Sequence, residues 1–417
     1  MHVFWAVLRY AAFALVALLL LTGRGALNFS PVDELAASHR YSLVQWELAT
    51  FPEKWLYRLG LMLPGNSLDR KAEEELVREF FELADRRRGL EEAIRVARAG
   101  AETGNLDSLR AQLAAVEADQ AAIRNRVEEI MEGEIDSIVF EEGLHVGGPL
   151  SAFGVHFPPV DFRVQASPPV TIVSPRDRIE RLEDVLLRPD TAVEDREVLE
   201  EAVLDERNQS ALVISTGGVA TVPAVISPNF SMHGTLVTAA HEWMHHYLFF
   251  FPLGQGYGRN AELTTLNETV ANIVGAEVGK LAYERFRLRQ EDTPPTPEET
   301  PPPPEEKPFD FRAEMRATRL RTEELLAAGL IDEAERYMEE RRLFLADNGY
   351  YIRKLNQAYF AFHGSYADSA ASISPIDGQL RAIREASDSL GDFVRTVASV
   401  SSHDEFLKLL AELGIES

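Results

Sequence analysis

The stretch TAAHEWMHHYLFFF, residues 238 to 251, carries two histidines four positions apart, with a glutamate directly after the first. On a helix, side chains four apart stand on one face about 5–6 Å from each other, so His241 and His245 can each bring a ring nitrogen to about 2 Å from one metal ion. Glu242 is turned by about 100° around the axis, which puts its carboxylate beside such an ion rather than on it. There it can take a proton from an attacking water and deliver it to a leaving amine. A histidine pair of this kind also arises by coincidence, and a third ligand is what separates a site from an accident.

The segment TLNETVANIVGAEVGKL offers one. Glu268 lies 23 positions after His245, beyond the glycine-rich loop FPLGQGYGRN, which can turn the chain back so that a second helix lies beside the first. Two histidines and a glutamate around Zn²⁺ leave a fourth position open, as a catalytic site requires. Asn272, one turn after Glu268, is expected to accept the other ring N–H of a ligand histidine and fix its tautomer. Glu262 and Glu277 are fallback ligands. A donor for the tetrahedral oxyanion is expected from further along, with Tyr359, His363 and Tyr366 of NQAYFAFHGSYAD as candidates. His246 reads as a half-exposed neighbour, His233 as a bystander, and Phe249, Phe250 and Phe251 as core or pocket wall.

Taken together, HEWMH followed by NETVAN resembles the HExxH…NExx pattern of the gluzincin metallopeptidases, the thermolysin-like and aminopeptidase-like clan. NETVANIVGAE is similar to a bacterial aminopeptidase group within it. The resemblance spans Thr235 to Leu281. It implies a zincin-like domain with His241, His245 and Glu268 as zinc ligands and Glu242 as general base. Asn272 stands where thermolysin-like enzymes carry an aspartate, and the spacing from His245 to Glu268 is slightly longer than in the best-known members. In gluzincins a strand beside the zinc helix pairs with the substrate backbone. GGVATVPAVIS, residues 217 to 227, is the counterpart here, an ordinary buried or edge strand being the alternative.

The elements that must position these residues follow from composition and periodicity. The chain has 417 residues, 45% of them hydrophobic, enough for a sizeable core in two or three structural units. Its net charge of −25 argues against a nucleic-acid partner, and its zero cysteines exclude disulfides and thiolate metal sites. Val3 to Gly23 is apolar apart from Arg9 and reads as a single-pass membrane anchor over residues 1–25. A cleaved signal peptide is the rival, though no small-x-small cleavage site follows. The body is expected on the extracytoplasmic side. In region 26–140, apolar residues from Leu76 to Ala97 and from Leu106 to Ile130 recur at 4-3 spacing, with Arg87 and Gln120 as polar interruptions. An antiparallel helical hairpin is expected, a spacer or an arm for a protein partner. Region 145–290 reads as the α/β catalytic unit. Its strands are expected at Phe162–Ala166, Val170–Val173, ALVIST and VATVPAVIS, with helical segments between Asp177 and Arg207 and a final helix from Ala261 to Leu288. Residues 291–308 form a proline-rich acidic loop, and 309–417 a mainly helical part that completes the site. The fold class is therefore α+β. The expected activity is that of a membrane-anchored zinc peptidase acting on a peptide or protein substrate. The alternative is an inactive membrane-tethered scaffold, against which an intact Glu242 argues.

Overall fold

A computed structural model describes residues 30–61, 68–99, 106–145, 157–288 and 309–416. The apolar run from Val3 to Gly23, the hairpin's turn glycines Gly100 and Gly104, and the proline-rich loop lie outside the described residues. Among the described residues, no helix is long and apolar enough to cross a membrane.

Helices dominate. A short α1 (Pro31–Leu35) and α2 (Leu43–Leu61) precede two long helices, α3 (Arg70–Ala99) and α4 (Leu106–Glu141), which pack against each other as the expected hairpin. The α/β part holds β1 (Phe162–Val164), β2 (Val170–Pro175), β3 (Glu183–Leu186), α5 (Val193–Arg207), β4 (Gln209–Ile214), β5 (Gly218–Val219) and β6 (Ala224–Ile226). Then come α6 (Met232–Leu248), which carries HEWMHH, the single turn α7 (Pro252–Gln255) and α8 (Ala261–Leu288), which carries Glu268. The C-terminal part is helical: α9 (Phe311–Ala327), α10 (Ile331–Asp347), α11 (Gln357–His363), α12 (Ile376–Ala386), α13 (Leu390–Ala398) and α14 (His403–Leu413).

Two small sheets sit among these helices. One has the order β1-β6-β5, parallel between β1 and β6 and antiparallel between β6 and β5. The other is antiparallel, in the order β3-β2-β4. Two expectations are corrected here. Glu183–Leu186 is a strand rather than helix, because it pairs along β2 with Val170 opposite Leu186, and that pairing overrides its weak local preference. VATVPAVIS is two strands rather than one, since Pro223 cannot donate to a ladder and falls in the turn between β5 and β6.

The hairpin belongs to the same core as the α6–α8 pair. Val77 and Phe80 of α3 and Val127, Met131, Ile135 and Ile138 of α4 are buried with Leu236, Trp243 and Val270. Its polar interruptions make ties. Gln120 donates to the Phe80 carbonyl at 3.3 Å, while the Arg87 guanidinium donates to the Pro228 carbonyl and Asn229 Oδ1, each at 2.9 Å, just ahead of α6. Further along α4, Glu128 and Glu132 accept from the N–H groups of Val164 and Phe162 at 2.7 and 2.8 Å. These are the donors that edge strand β1 turns away from its sheet, so the helix caps the sheet's edge with carboxylates. Lys54 of α2 neutralises the pair. It bonds Glu132 and the Phe162 carbonyl, with Asp161 at 3.1 Å and Glu128 at 3.5 Å.

Candidate metal centre

Helices α6 and α8 must come unusually close for Glu268 to meet two histidines, and glycines four apart on α8 allow it. A methyl group at Gly275 would sit 2.9 Å from the Val237 carbonyl and 3.0 Å from His241 Cβ, and one at Gly279 would sit 2.6 Å from Val237 Cα. With no side chain at either position, one backbone rests on the other, much as small-residue stripes let helices approach elsewhere. Asn260 caps α8 by accepting from Leu263 N–H at 3.0 Å, and Ser231 caps α6 by accepting from Gly234 N–H at 3.2 Å.

Three donor atoms then converge. His241 Nε2 and His245 Nε2 are 3.1 Å apart, and Glu268 Oε2 is 3.5 Å from each. Ligands at 2.0–2.1 Å in a tetrahedron stand about 3.3–3.4 Å from one another, so this triangle has the edge lengths of a zinc site. Glu242 stands at the same place, its carboxylate and the two histidine nitrogens all within 4.8 Å of one another. Glu268 and Glu242 are thus both carboxylates within reach of the histidine pair.

The bonding around the triangle fits a cation. Asn267 Oδ1 lies 2.7 Å from His245 Nδ1, so that nitrogen carries the proton and Nε2 presents its lone pair to the centre. Two imidazole nitrogens at 3.1 Å need a shared proton or a cation between them. Glu268 Oε2 is buried, and its nearest polar neighbours are the two histidine nitrogens at 3.5 Å, too long for a good hydrogen bond and suited to sharing a cation. Its other oxygen, Oε1, accepts from the Tyr257 hydroxyl at 2.6 Å. Two imidazoles and a carboxylate are donors that suit Zn²⁺.

The electrostatics agree. Burial alone would raise the Glu268 carboxyl, but His245 and His241 outweigh it and hold the group well below the usual carboxylate range. Burial opposes charge on His245, yet Glu268 foremost, with Glu242 and Asn267, pushes it up to about 9. The centre thus stabilises positive charge. Glu242 is raised above the ordinary carboxylate range, chiefly by burial and further by Glu268, against the two histidines. Facing it is β5, the outer strand of its sheet. A methyl group at Gly218 would collide with the Glu242 carboxylate, so strand backbone passes directly over that carboxylate.

Of the residues singled out from sequence, His241, Glu242, His245 and Glu268 come together. Asn272 does not orient a histidine. It lies one turn beyond Glu268 and donates to Asp368 Oδ1 at 2.9 Å, and Asn267 fills the expected role. Glu277 is paired with Arg384 and Glu262 is exposed, so neither is a ligand. Tyr359 and His363 are packing residues. Their rings lie 4.3 Å apart, Tyr359 sits against Phe360 and the β2–β4 face, and burial alone pushes its hydroxyl up to about 12 and His363 down to about 4. Tyr366 is the one of the three that the site's carboxylates influence electrostatically. After burial, Glu268 and Glu242 are the largest influences on its hydroxyl, and all three raise it well above the ordinary tyrosine value. His233 packs on Tyr283, and Phe249 and Phe250 are exposed rather than core. His246 is only partly exposed and its Nε2 is buried, and burial with the neighbouring His245 holds it down to about 4.

Tyr257, Asn267 and Arg181 were missed. Arg181, paired with Asp184 at 2.7 Å and lying over the Phe362 ring at 5.5 Å, reaches Tyr257 and Glu268 electrostatically. The loop position of Tyr257 and the asparagine directly before Glu268 were visible in the sequence. Which way each would point was not. No protein-family profile, curated protein or solved structure matches the chain.

Proposed function

We propose that this chain is a zinc-dependent peptidase with a zincin-like catalytic unit, anchored to a membrane by Val3 to Gly23 with its body on the extracytoplasmic side. His241, His245 and Glu268 hold the metal. The observation that carries the reading is the triangle of 3.1, 3.5 and 3.5 Å between their donor atoms, closed on a buried carboxylate oxygen. Zinc supplies Lewis acidity there, polarising a carbonyl and acidifying water. Glu242, whose burial keeps its proton affinity high, accepts the proton of the attacking water and returns it to the leaving amine. The open edge of β5 pairs with the backbone of an extended peptide and lays it across Glu242. The Tyr366 hydroxyl stays protonated and donates to the oxyanion of the tetrahedral intermediate.

Elemental analysis of the purified chain is the direct test. About one zinc per chain is expected for the wild type, with loss or severe weakening in Glu268→Ala. Glu242→Gln should keep the metal and lose hydrolysis of a peptide library. Absence of zinc from the wild type after metal-replete purification would sink the reading.

A further inference from the structure

Helix α2 is amphipathic in the opposite sense to a soluble surface helix. Residues advance by about 100° each, and the arc of α2 that faces the protein is polar: Glu47, Thr50 and Lys54 are buried, with Arg58 beside them. The arc that faces outward is apolar apart from Gln45 in the first turn and Glu53. Leu48, Leu56 and Leu59 are 58%, 69% and 54% exposed, with Ala49 and Pro52 between them. Phe51 and Trp55, rings 5.4 Å apart, form one rim of this arc, and Trp46 and Tyr57 stand toward the other. Glu53 is the only charge on it, and it lies 3.5 Å from Arg163.

The helix cannot turn its polar side to water, because that side is fully engaged. Lys54 sits in the Glu128, Glu132 and Asp161 cluster, and Arg58 donates to Glu129 at 2.8 Å and to Glu132 at 2.5 Å. Glu47 accepts from the Thr221 hydroxyl and from Val222 N–H. The leucines are therefore fixed outward, a contiguous apolar face of the kind that marks a contact surface.

We infer that α2 lies in the lipid–water interface, with this arc sunk among headgroups and upper acyl chains. Two observations select lipid. The apolar run that fits a bilayer's thickness ends at Gly23, and only Arg24 to Ser42 separate it from α2, so a chain held there keeps α2 within tether reach of the bilayer surface. A leucine centre, aromatic rims and almost no charge are the composition of a helix lying in the interface plane. With a net charge of −25 the chain gains nothing from anionic lipid, so the contact depends on apolar burial and works on zwitterionic membranes. The inference stands apart from the zinc reading. Its consequence for the site runs through Glu47, which holds the turn after β5. The turn that follows the edge strand is then about one helix diameter, ~10–12 Å, from lipid, on the side from which a polypeptide leaving the bilayer surface would approach.

The chain has no cysteine, which allows single-site labelling of the full-length protein. Leu48→Cys, Leu56→Cys and Leu59→Cys are each labelled with an environment-sensitive fluorophore and reconstituted into phosphatidylcholine vesicles. Tyr351→Cys, at a position 86% exposed on the C-terminal part, is the control. The three α2 labels should show blue-shifted emission, strong quenching by shallow spin-labelled lipid and severalfold lower quenching by aqueous iodide than the control. Iodide quenching equal to the control would put the arc in water and overturn the inference. Protection from iodide without lipid quenching would also overturn it, showing a protein cover, whether a second copy or residues 1–29. Failure of the full chain to float with vesicles counts equally against it.

Discussion

At the scale of single residues, the centre depends on which nitrogen of His245 carries its proton, and Asn267 decides that. Its Oδ1 at 2.7 Å can only accept, so Nδ1 is the protonated atom and Nε2 is free to bind metal. Groups in this position typically change metal affinity by about 10–100-fold. Asn267→Ala should therefore weaken zinc binding by roughly that factor, measured by competition with a chelating dye. Asn272→Ala, which loses only the bond to Asp368, should leave the affinity unchanged. Tyr257→Phe should shift it in the same direction as Asn267→Ala, because the Glu268 carboxylate then swings on one oxygen fewer. The histidine pair was legible from residue types and spacing alone, since a helix places positions i and i+4 together wherever it sits, while Glu268 depended on the loop turning a second helix back. The orienting groups were not. Asn267 and Asn272 are both within reach of a histidine until the register of α8 against α6 is known, and that register is a tertiary fact.

At the scale of elements, two contacts set the site: α8 against α6 through Gly275 and Gly279, and β5 against Glu242 through Gly218. The first was written in the sequence as GAEVG, although helical periodicity gives no reason to notice it. The second lay inside a stretch read as one long strand. Gly218→Ala should displace the Glu242 carboxylate or push β5 away, while the three ligands keep their places. The expected result is full zinc content with kcat/KM reduced by about 10-fold or more, the size of effect that small misplacement of a base produces. Helix α11 carries the clearest pH signature. Burial depresses His363 to about 4 in the folded chain, against about 6.5 when unfolded. A depressed histidine favours folding above its unfolded value, and that contribution is lost as pH falls from about 6.5 toward 4, by up to about 3 kcal/mol. His363→Gln, which cannot take up the proton, should make this limb of the unfolding midpoint against pH shallower, His246 supplying the remainder, without changing peptide hydrolysis at neutral pH. Hydrolysis lost at neutral pH with stability intact would return His363 to the reaction.

At the scale of the whole molecule, the hairpin forms part of the wall against which the β1-β6-β5 sheet is built. The 4-3 spacing of its apolar residues was legible, and so was the helical pair. Its docking was not, because Glu128 and Glu132 look like solvated charges on a long helix until β1 turns its spare N–H groups toward them. Lys54 closes this arrangement at 2% exposure, joining α2, α4 and β1 at one buried point. Removing one partner of a buried ion cluster leaves the others uncompensated and typically costs about 3–5 kcal/mol. Lys54→Met keeps the stem and removes the charge, so it should lower unfolding stability by about that amount in a denaturant titration at pH 8. The loss should be smaller at pH 5. Burial pushes Glu132 up to about 8, with Lys54 pulling against that, so without the lysine its carboxyl rises further and the folded chain can hold a proton there. A group raised in the folded state stabilises below its unfolded value and loses that contribution as pH rises through the folded one. A pH-independent loss would mean that Lys54 acts through the packing of its stem, and that the hairpin is held to the sheet by its apolar core alone.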